Sequence, residues 1–456
     1  MIRRSIHERQ TDRAAVGRAG HSEELASGAG FSRRSFMALA GAGGVAVGVS
    51  SLGGRYAFAT PARPDTGDVL VFVFNRGGMD ALNVVAPFRM PTYQTLRPTI
   101  RVRPPEEFGD PTGLAGLPLN AGGAVAPFPL DGVFGFHPGM ERLHQGAWAQ
   151  GHLAVVHAAG VPSPMSTTRS HFEAQRHCEA GSSSLSVNDG FVNRYLSGLG
   201  DLDRLSAIGR GSTLQAMLVG DASAYSMASI AGFGVKGFSD NTRAATALAA
   251  LYPAGGDLLC STGSETISIA GLIGGLPADP GPQNGATYGY DNLARGLREV
   301  ARLIKADVGL RVAVLDDGGW DTHNGQGVPE SPSAYFRGRT QQFSEALQAF
   351  YQDLGPAMAE VSLVTMSEFG RTINENASGG TDHGRATAMF VMGHGVRGGV
   401  HGAFHESIVD APEGDLGVLN DYRHVVAEVL AGRGAASDLG RIFPGYSGHT
   451  PLGLLN

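Results

Sequence analysis

The chain has 456 residues, of which 42% are hydrophobic and 17% charged, with a formal charge of −7 at pH 7. That composition fills a sizeable core and carries no basic footprint for nucleic acid. Two cysteines, Cys178 and Cys260, do not make a disulfide framework, and neither lies in a Cys-x-x-Cys pair, which argues against a thiolate zinc site.

Residues 1–30 are polar, charged and without apolar period, and read as a disordered leader extension. Ser32, Arg33, Arg34 and Phe36 then precede a Gly/Ala-rich uncharged stretch, and Ala57-Phe58-Ala59 fits an A-x-A cleavage site. Residues 31–59 thus read as a twin-arginine signal peptide. The apolar run of about 18 residues is at the lower edge for a membrane span, and its glycines make it a poor anchor. No second run approaches that length, so the product expected is the domain 60–456, exported to the periplasm or cell surface without a stable span.

In chain order, "DVLVFVFN" (68–75), "LAVVHA" (153–158), "RVAVLD" (311–316), "VSLVTM" (361–366) and "AMFVMG" (388–393) are continuous apolar runs. Strands buried on both faces lack alternation, so these predict a mostly parallel central sheet. Between them, Leu293, Leu297, Val300, Ala301 and Ile304 make one helical face, and Phe343, Ala346, Leu347, Phe350 and Leu354 make another. Alternating strands and helices predict a doubly wound α/β fold with helices on both faces. Residues 181–290, rich in Gly, Ser and Ala, read as a possible cap insertion.

In such a sheet ligands sit beyond the carboxyl ends of the strands. There the sequence places Asp80, then Ser170 and His171, then Asp321 and His323, then Glu368 and Arg371; Asp382 and His383 precede the fifth strand. Each has an ordinary structural reading beside the functional one. Asp80 suits a helix cap, and Ser170 with Glu173 fits the S-x-x-E capping box. Glu368 could pair with Arg371 as a salt bridge or serve as a metal ligand. The co-location carries the functional reading: mixed carboxylates and imidazoles suit zinc, manganese or iron, whereas calcium and magnesium prefer oxygen alone.

The ordered motifs "FNRGGMDALNVVAPF", "TTRSHFEAQ", "GGWDTHNGQ", "VTMSEFGRTINENASGGTDHGRATAMFVMGHGVRGG" and "FPGY", with the twin-arginine leader, resemble the bacterial family known as domain of unknown function 1501, across about residues 66–446. "TDHGRATAMFVMGHGVRGG" is also similar to the Asp-His segment of the alkaline phosphatase and sulfatase superfamily. That resemblance implies an alkaline-phosphatase-like domain with one or two divalent ions. It implies Asp382 and His383 as metal ligands, with Asp80 joining one ion and Asp321 and His323 serving the other. Ser170 or Thr168 would be the nucleophile, and His171 or Arg169 would bind a substrate oxygen. The Cys-x-Pro-x-Arg motif of formylglycine sulfatases is absent, and the superfamily's late third histidine has no clear counterpart, although His394, His401 and His405 are available.

The expectation is an exported hydrolase of phosphate or sulfate esters, dependent on zinc or manganese, with a small-molecule or glycan ester as substrate and no nucleic-acid partner. The alternative is a non-catalytic periplasmic binding or envelope-associated protein on the same fold.

Overall fold

A computed structural model of the chain describes residues 68–119, 132–200, 202, 205–234, 241–252, 257–408, 414–446 and 448–456. The leader extension and the twin-arginine signal lie outside these residues. Among the described residues no helix is long and apolar enough to cross a membrane.

The five apolar runs are five strands: β1 (Val69–Asn75), β2 (Leu153–Gly160), β5 (Val312–Asp317), β6 (Val361–Met366) and β7 (Thr387–Met392). All but Asp316 among their residues are buried, which is why the sequence shows no alternation there. Four shorter strands complete a nine-stranded sheet: β3 (Ala207–Arg210), β4 (Tyr225–Met227), β8 (Gly399–His401) and β9 (Asn420–Asp421). The order is β8-β2-β7-β6-β1-β5-β3-β4, with β9 also on β2. Every pairing is parallel except those of β7, which runs antiparallel to both β6 and β2.

Helices cover both faces, as expected for a doubly wound α/β sheet. On one face, Leu70, Phe72 and Phe74 share a core with Phe191, Tyr195 and Leu196 of α2 (Phe191–Ser197) and Val425 and Val429 of α7 (Tyr422–Leu430). The Phe72 and Phe191 rings meet edge to face at 5.6 Å. Against the other face lie α5 (Asn292–Lys305) and α6 (Tyr335–Leu354), where Phe343 meets Phe390 of β7 at 5.6 Å. The predicted apolar stripes of both helices are buried. Each large aliphatic or aromatic side chain so buried stabilises the fold by roughly 1.5–3 kcal/mol relative to exposure.

The region 181–290 divides. Its β3 and β4 extend the central sheet, and α2 packs on it, so these parts are not an insertion over it. The helices α3 (Asn241–Leu251) and α4 (Leu258–Gly274) fall in a separate compact unit, with a small core of Ala245, Leu248 and Tyr252 backed by Ile267. Cys178 and Cys260 are both buried, and neither is in a disulfide.

Candidate functional site

The reversal of β7 matters for the site. A strand that runs against its neighbours presents its amino end at their carboxyl edge. The loop 378–386 therefore meets the loops that leave β1, β2, β5 and β6. Backbone bonds fix it there: Thr381 N–H donates to Thr322 C=O at 3.0 Å, Gly384 N–H to Gly370 C=O at 2.9 Å, and Thr372 N–H to Asp382 C=O at 2.9 Å. Close approach explains two glycines. At Gly384 a Cβ would stand 2.4 Å from the Arg371 backbone; at Gly77, with φ of +116°, it would stand 2.5 Å from Asp321 N.

Arg371 ties these loops together. Its fully buried guanidinium donates to the carbonyls of Gly77, Gly78, Trp320 and Thr381 and to the Asp321 carboxylate. The predicted Glu368–Arg371 pair is not how either residue is used. Asp321 is held below the usual carboxylate range: burial opposes this, but Arg371, His383 and His323 outweigh it.

Around Asp321 stand three imidazoles. His323 Nε2 lies 3.1 Å and His383 Nε2 3.2 Å from Asp321 Oδ1, and His171 Nε2 lies 3.6 Å from Oδ2. His323 Nε2 and His383 Nε2 are 2.9 Å apart. Ligand atoms of His171, Asp321 and His383 all fall within 4.8 Å of one another. His171 Nε2 is buried without a hydrogen-bond partner.

The other ring nitrogens decide the tautomers. His171 Nδ1 faces Glu368 Oε1 at 2.8 Å, His323 Nδ1 faces Asp382 Oδ1 at 3.1 Å, and His383 Nδ1 faces the Arg169 carbonyl at 2.9 Å. Carboxylate and carbonyl oxygens only accept, so each Nδ1 must carry the proton and donate it. In the neutral form, a ring so held turns a bare Nε2 lone pair toward the Asp321 carboxylate. Four electron-pair donors facing one another without hydrogens between them repel unless a proton or a cation lies among them. Burial, with Arg371 and His171 nearby, pushes the His383 imidazole below its ordinary pKa, which disfavours the proton. The donor set of three imidazoles and a carboxylate suits a borderline divalent ion. Two donors about 2.0–2.1 Å from one ion at a tetrahedral angle lie roughly 3.3 Å apart, close to the 3.1, 3.2 and 2.9 Å found among Asp321, His323 and His383.

The supporting carboxylates are themselves held. Glu368 is buried and accepts from Gly77 N–H at 2.9 Å, Gln175 Nε2 at 3.0 Å and Ser367 Oγ at 3.0 Å. Burial works against its charge, yet Gln175, His171 and the Gly77 N–H keep its pKa below the usual value. Asp382 is lowered first by His323, and Asn376 Nδ2 also donates to it at 3.2 Å.

The sequence candidates therefore sort differently from expectation. Asp321, His323 and His383 come together, and His171 joins them as a candidate ligand instead of a binder of substrate oxygen. Glu368 and Asp382 stand behind His171 and His323 as proton acceptors that orient the rings. Asp80 is elsewhere. Its fully buried carboxylate takes Arg97 Nη1 on both oxygens, at 2.9 and 2.8 Å, and Gln326 Nε2 at 2.9 Å. An arginine occupies the place a cation would need, so Asp80 is a structural ion-pair residue. It makes no side-chain cap bond either. His394, His401 and His405 serve other places: His401 and His405 bond to the carbonyls of Arg397 and Gly417, and His394 packs on His152.

Ser170 is the N-cap residue of α1 (His171–Ala180), but without a side-chain capping bond. Glu173 instead accepts the Thr168 hydroxyl at 2.6 Å, so the predicted capping box is not made. Thr168 also lines a recess of about 20 Å³ with Glu368, Phe369 and Gly384. Arg169 pairs with buried Asp415. Sequence reading missed Arg97, Gln175, Gln326 and Asn376, whose partners lie in distant loops and leave no local pattern.

No curated protein matches the chain. Among solved structures, the lipoteichoic acid synthase LtaP from Listeria monocytogenes is 12% identical with a TM-score of 0.25, over 79% of this chain and 77% of that one. BT1596, a 2-O GAG sulfatase, is 10% identical with a TM-score of 0.25, over 72% of this chain and 65% of its own length. Residues 286–418 match the family described as "Protein of unknown function (DUF1501)". The matched stretch contains Asp321, His323, Glu368, Asp382 and His383, and the family it resembles there is one of unknown function.

Proposed function

We propose that the chain is a metal-dependent hydrolase of phosphate or sulfate esters, using one divalent ion, zinc or manganese. The observation that carries this is the convergence of three oriented Nε2 atoms on the Asp321 carboxylate, each ring held through Nδ1 by an acceptor. His171, Asp321, His323 and His383 would hold the ion. When bound, such an ion supplies Lewis acidity toward an ester oxygen.

The protein's own groups do the rest. Arg371 fixes Asp321, and Glu368 and Asp382 hold the rings of His171 and His323. Of the candidate nucleophiles, Thr168 is equipped with a base: its hydroxyl donates to Glu173 at 2.6 Å, so its proton has a destination as the oxygen attacks. In that step the new bond forms from Thr168 Oγ1 to phosphorus or sulfur, the ester bond breaks, and the leaving alkoxide takes up a proton from solvent. Ser170 is the alternative nucleophile, at the amino end of α1. Export by the twin-arginine route, which passes folded proteins, would place the enzyme in the periplasm or at the cell surface acting on small-molecule or glycan esters.

A second reading, a non-catalytic periplasmic metal-binding protein, draws on the openness of the cluster, where the Asp321 side chain is 48% exposed. The test is a panel of phosphate and sulfate monoesters assayed with added zinc or manganese. The hydrolase reading expects turnover that His383→Ala abolishes together with bound metal, and that Thr168→Ala or Ser170→Ala abolishes with metal retained. Metal binding without turnover anywhere in the panel would leave the binding reading in its place.

A further inference from the structure

Beyond the cluster, a basic recess lies where β3 ends beside α5. Arg210 ends β3, and α5 presents Arg295, Arg298 and Arg302 at helical spacing. Together with the loops at 228–231 and Asp279 they line a recess of about 500 Å³. Two of the four arginines are balanced: Arg210 pairs with Glu299 at 2.7 Å and Arg298 with Asp279 at 2.9 Å. The other two donate to neutral oxygens, Arg295 to Asn292 Oδ1 at 2.8 Å and Arg302 to the Pro277 carbonyl at 3.0 Å. Each guanidinium has five N–H donors, and one such bond uses only one of them. The recess thus holds a net charge of +2 from four arginines against Asp279 and Glu299.

An exposed arginine row on a helix is usually a solvated face. Two features separate this one from that case. It is concave, with walls from four chain segments, and it continues toward the cluster. A second recess of about 340 Å³ shares Asn292 and Arg295 with it and reaches Asp317 and Gly318, at the end of β5 from which the loop to Asp321 departs.

We infer that this recess is a subsite for further tetrahedral oxyanion groups, sulfate or phosphate, on a substrate that carries several of them. The purpose of the subsite rests on the hydrolase reading, but its existence does not. Arg295 and Arg302 would make paired N–H contacts to the oxyanions, as planar guanidinium groups do. A polyanionic chain would lie along the carboxyl edge, with one ester at the cluster and its neighbours on α5. Attraction of this kind weakens as salt rises.

The test is binding, without turnover, of tripolyphosphate and of a sulfated oligosaccharide to the purified full chain, by titration calorimetry at low and moderate salt. Arg295→Gln/Arg302→Gln changes one exposed and one half-buried helix position to another good helix former, and circular dichroism checks its fold. The expected result is salt-sensitive binding of at least one probe, weakened roughly tenfold or more in the double variant and retained in His383→Ala. The probe that binds more tightly identifies phosphate or sulfate as the recognised group. Absence of binding by either probe, equal binding by the double variant, or loss in His383→Ala alone would overturn the subsite. Failure of the hydrolase reading would appear separately, as binding without ester cleavage.

Discussion

Asp80 gives a sharp test of how the site is built, because its sequence position suggests a ligand and its surroundings do not. In Asp80→Asn the fully buried Arg97 keeps its contacts to Asn83 Oδ1 at 2.9 Å, Ile373 C=O at 2.7 Å and Thr372 C=O at 2.7 Å, but loses its opposite charge. Removing one partner of a buried ion pair costs about 3–5 kcal/mol, because the remaining charge is left uncompensated. Arg97 also joins the first connecting segment to the 372–373 strap beside the cluster, so the loss loosens that strap without removing a ligand. The assay is chemical denaturation followed by circular dichroism, paired with metal analysis of the folded protein. A fall in unfolding free energy of this size with metal content unchanged is the expected result. An unshifted midpoint together with lost metal would show that Asp80 is a ligand and that the ion-pair assignment is mistaken.

Further outcomes follow from the same structure. Glu368→Gln and Asp382→Asn remove the carboxylates behind His171 and His323, and each should weaken metal affinity roughly 10–100-fold in a chelator competition while leaving stoichiometry intact. Unchanged affinity in both would refute the orienting role. Gly77→Ala forces a Cβ to 2.5 Å from Asp321 N at a positive φ. It should cost about 1–3 kcal/mol in denaturation and lower metal affinity, and a neutral outcome would contradict the close packing of the two loops. His137 and His157 are buried, and burial pushes both down to about 3. The unfolded chain binds their protons first, near 6.5, so stability falls as pH drops from 6.5 toward 3, by about 1.4 kcal/mol per unit for each histidine. Denaturation midpoints that do not fall between about pH 7 and about pH 5 would contradict this.

Much of the fold was readable because its five longest strands are buried on both faces, and a continuous apolar run is what that burial requires. The faces of α5 and α6 were readable for the related reason that one stripe of each meets the sheet. The short strands β3, β4, β8 and β9 span four residues or fewer, too few to show a period. They hid the fact that part of 181–290 belongs to the sheet. The direction of β7 is a topological fact that no local pattern carries, although it explains why Asp382 and His383, which precede a strand, stand with residues that follow strands.

At the site, the residue types were legible and their roles were not. A carboxylate adjacent in sequence to a histidine looks like a second ligand. In the folded chain Asp382 faces Nδ1 of His323, from another loop, and Glu368 faces Nδ1 of His171. Whether a carboxylate meets a metal or a ring N–H depends on loop packing, here set by Arg371 and the bonds between 322–326 and 376–384. Asp80 was misread because its partner, Arg97, lies in a segment with no strand or helix signal of its own.

The central claim is that His171, Asp321, His323 and His383 form one metal site. Its most direct test is elemental analysis of the protein from its native compartment, and again after reconstitution with zinc or manganese, beside His383→Ala. The account predicts about one equivalent of metal per chain in the wild type and little in the variant. Less than about a tenth of an equivalent in the native protein, with none taken up on reconstitution, would contradict it.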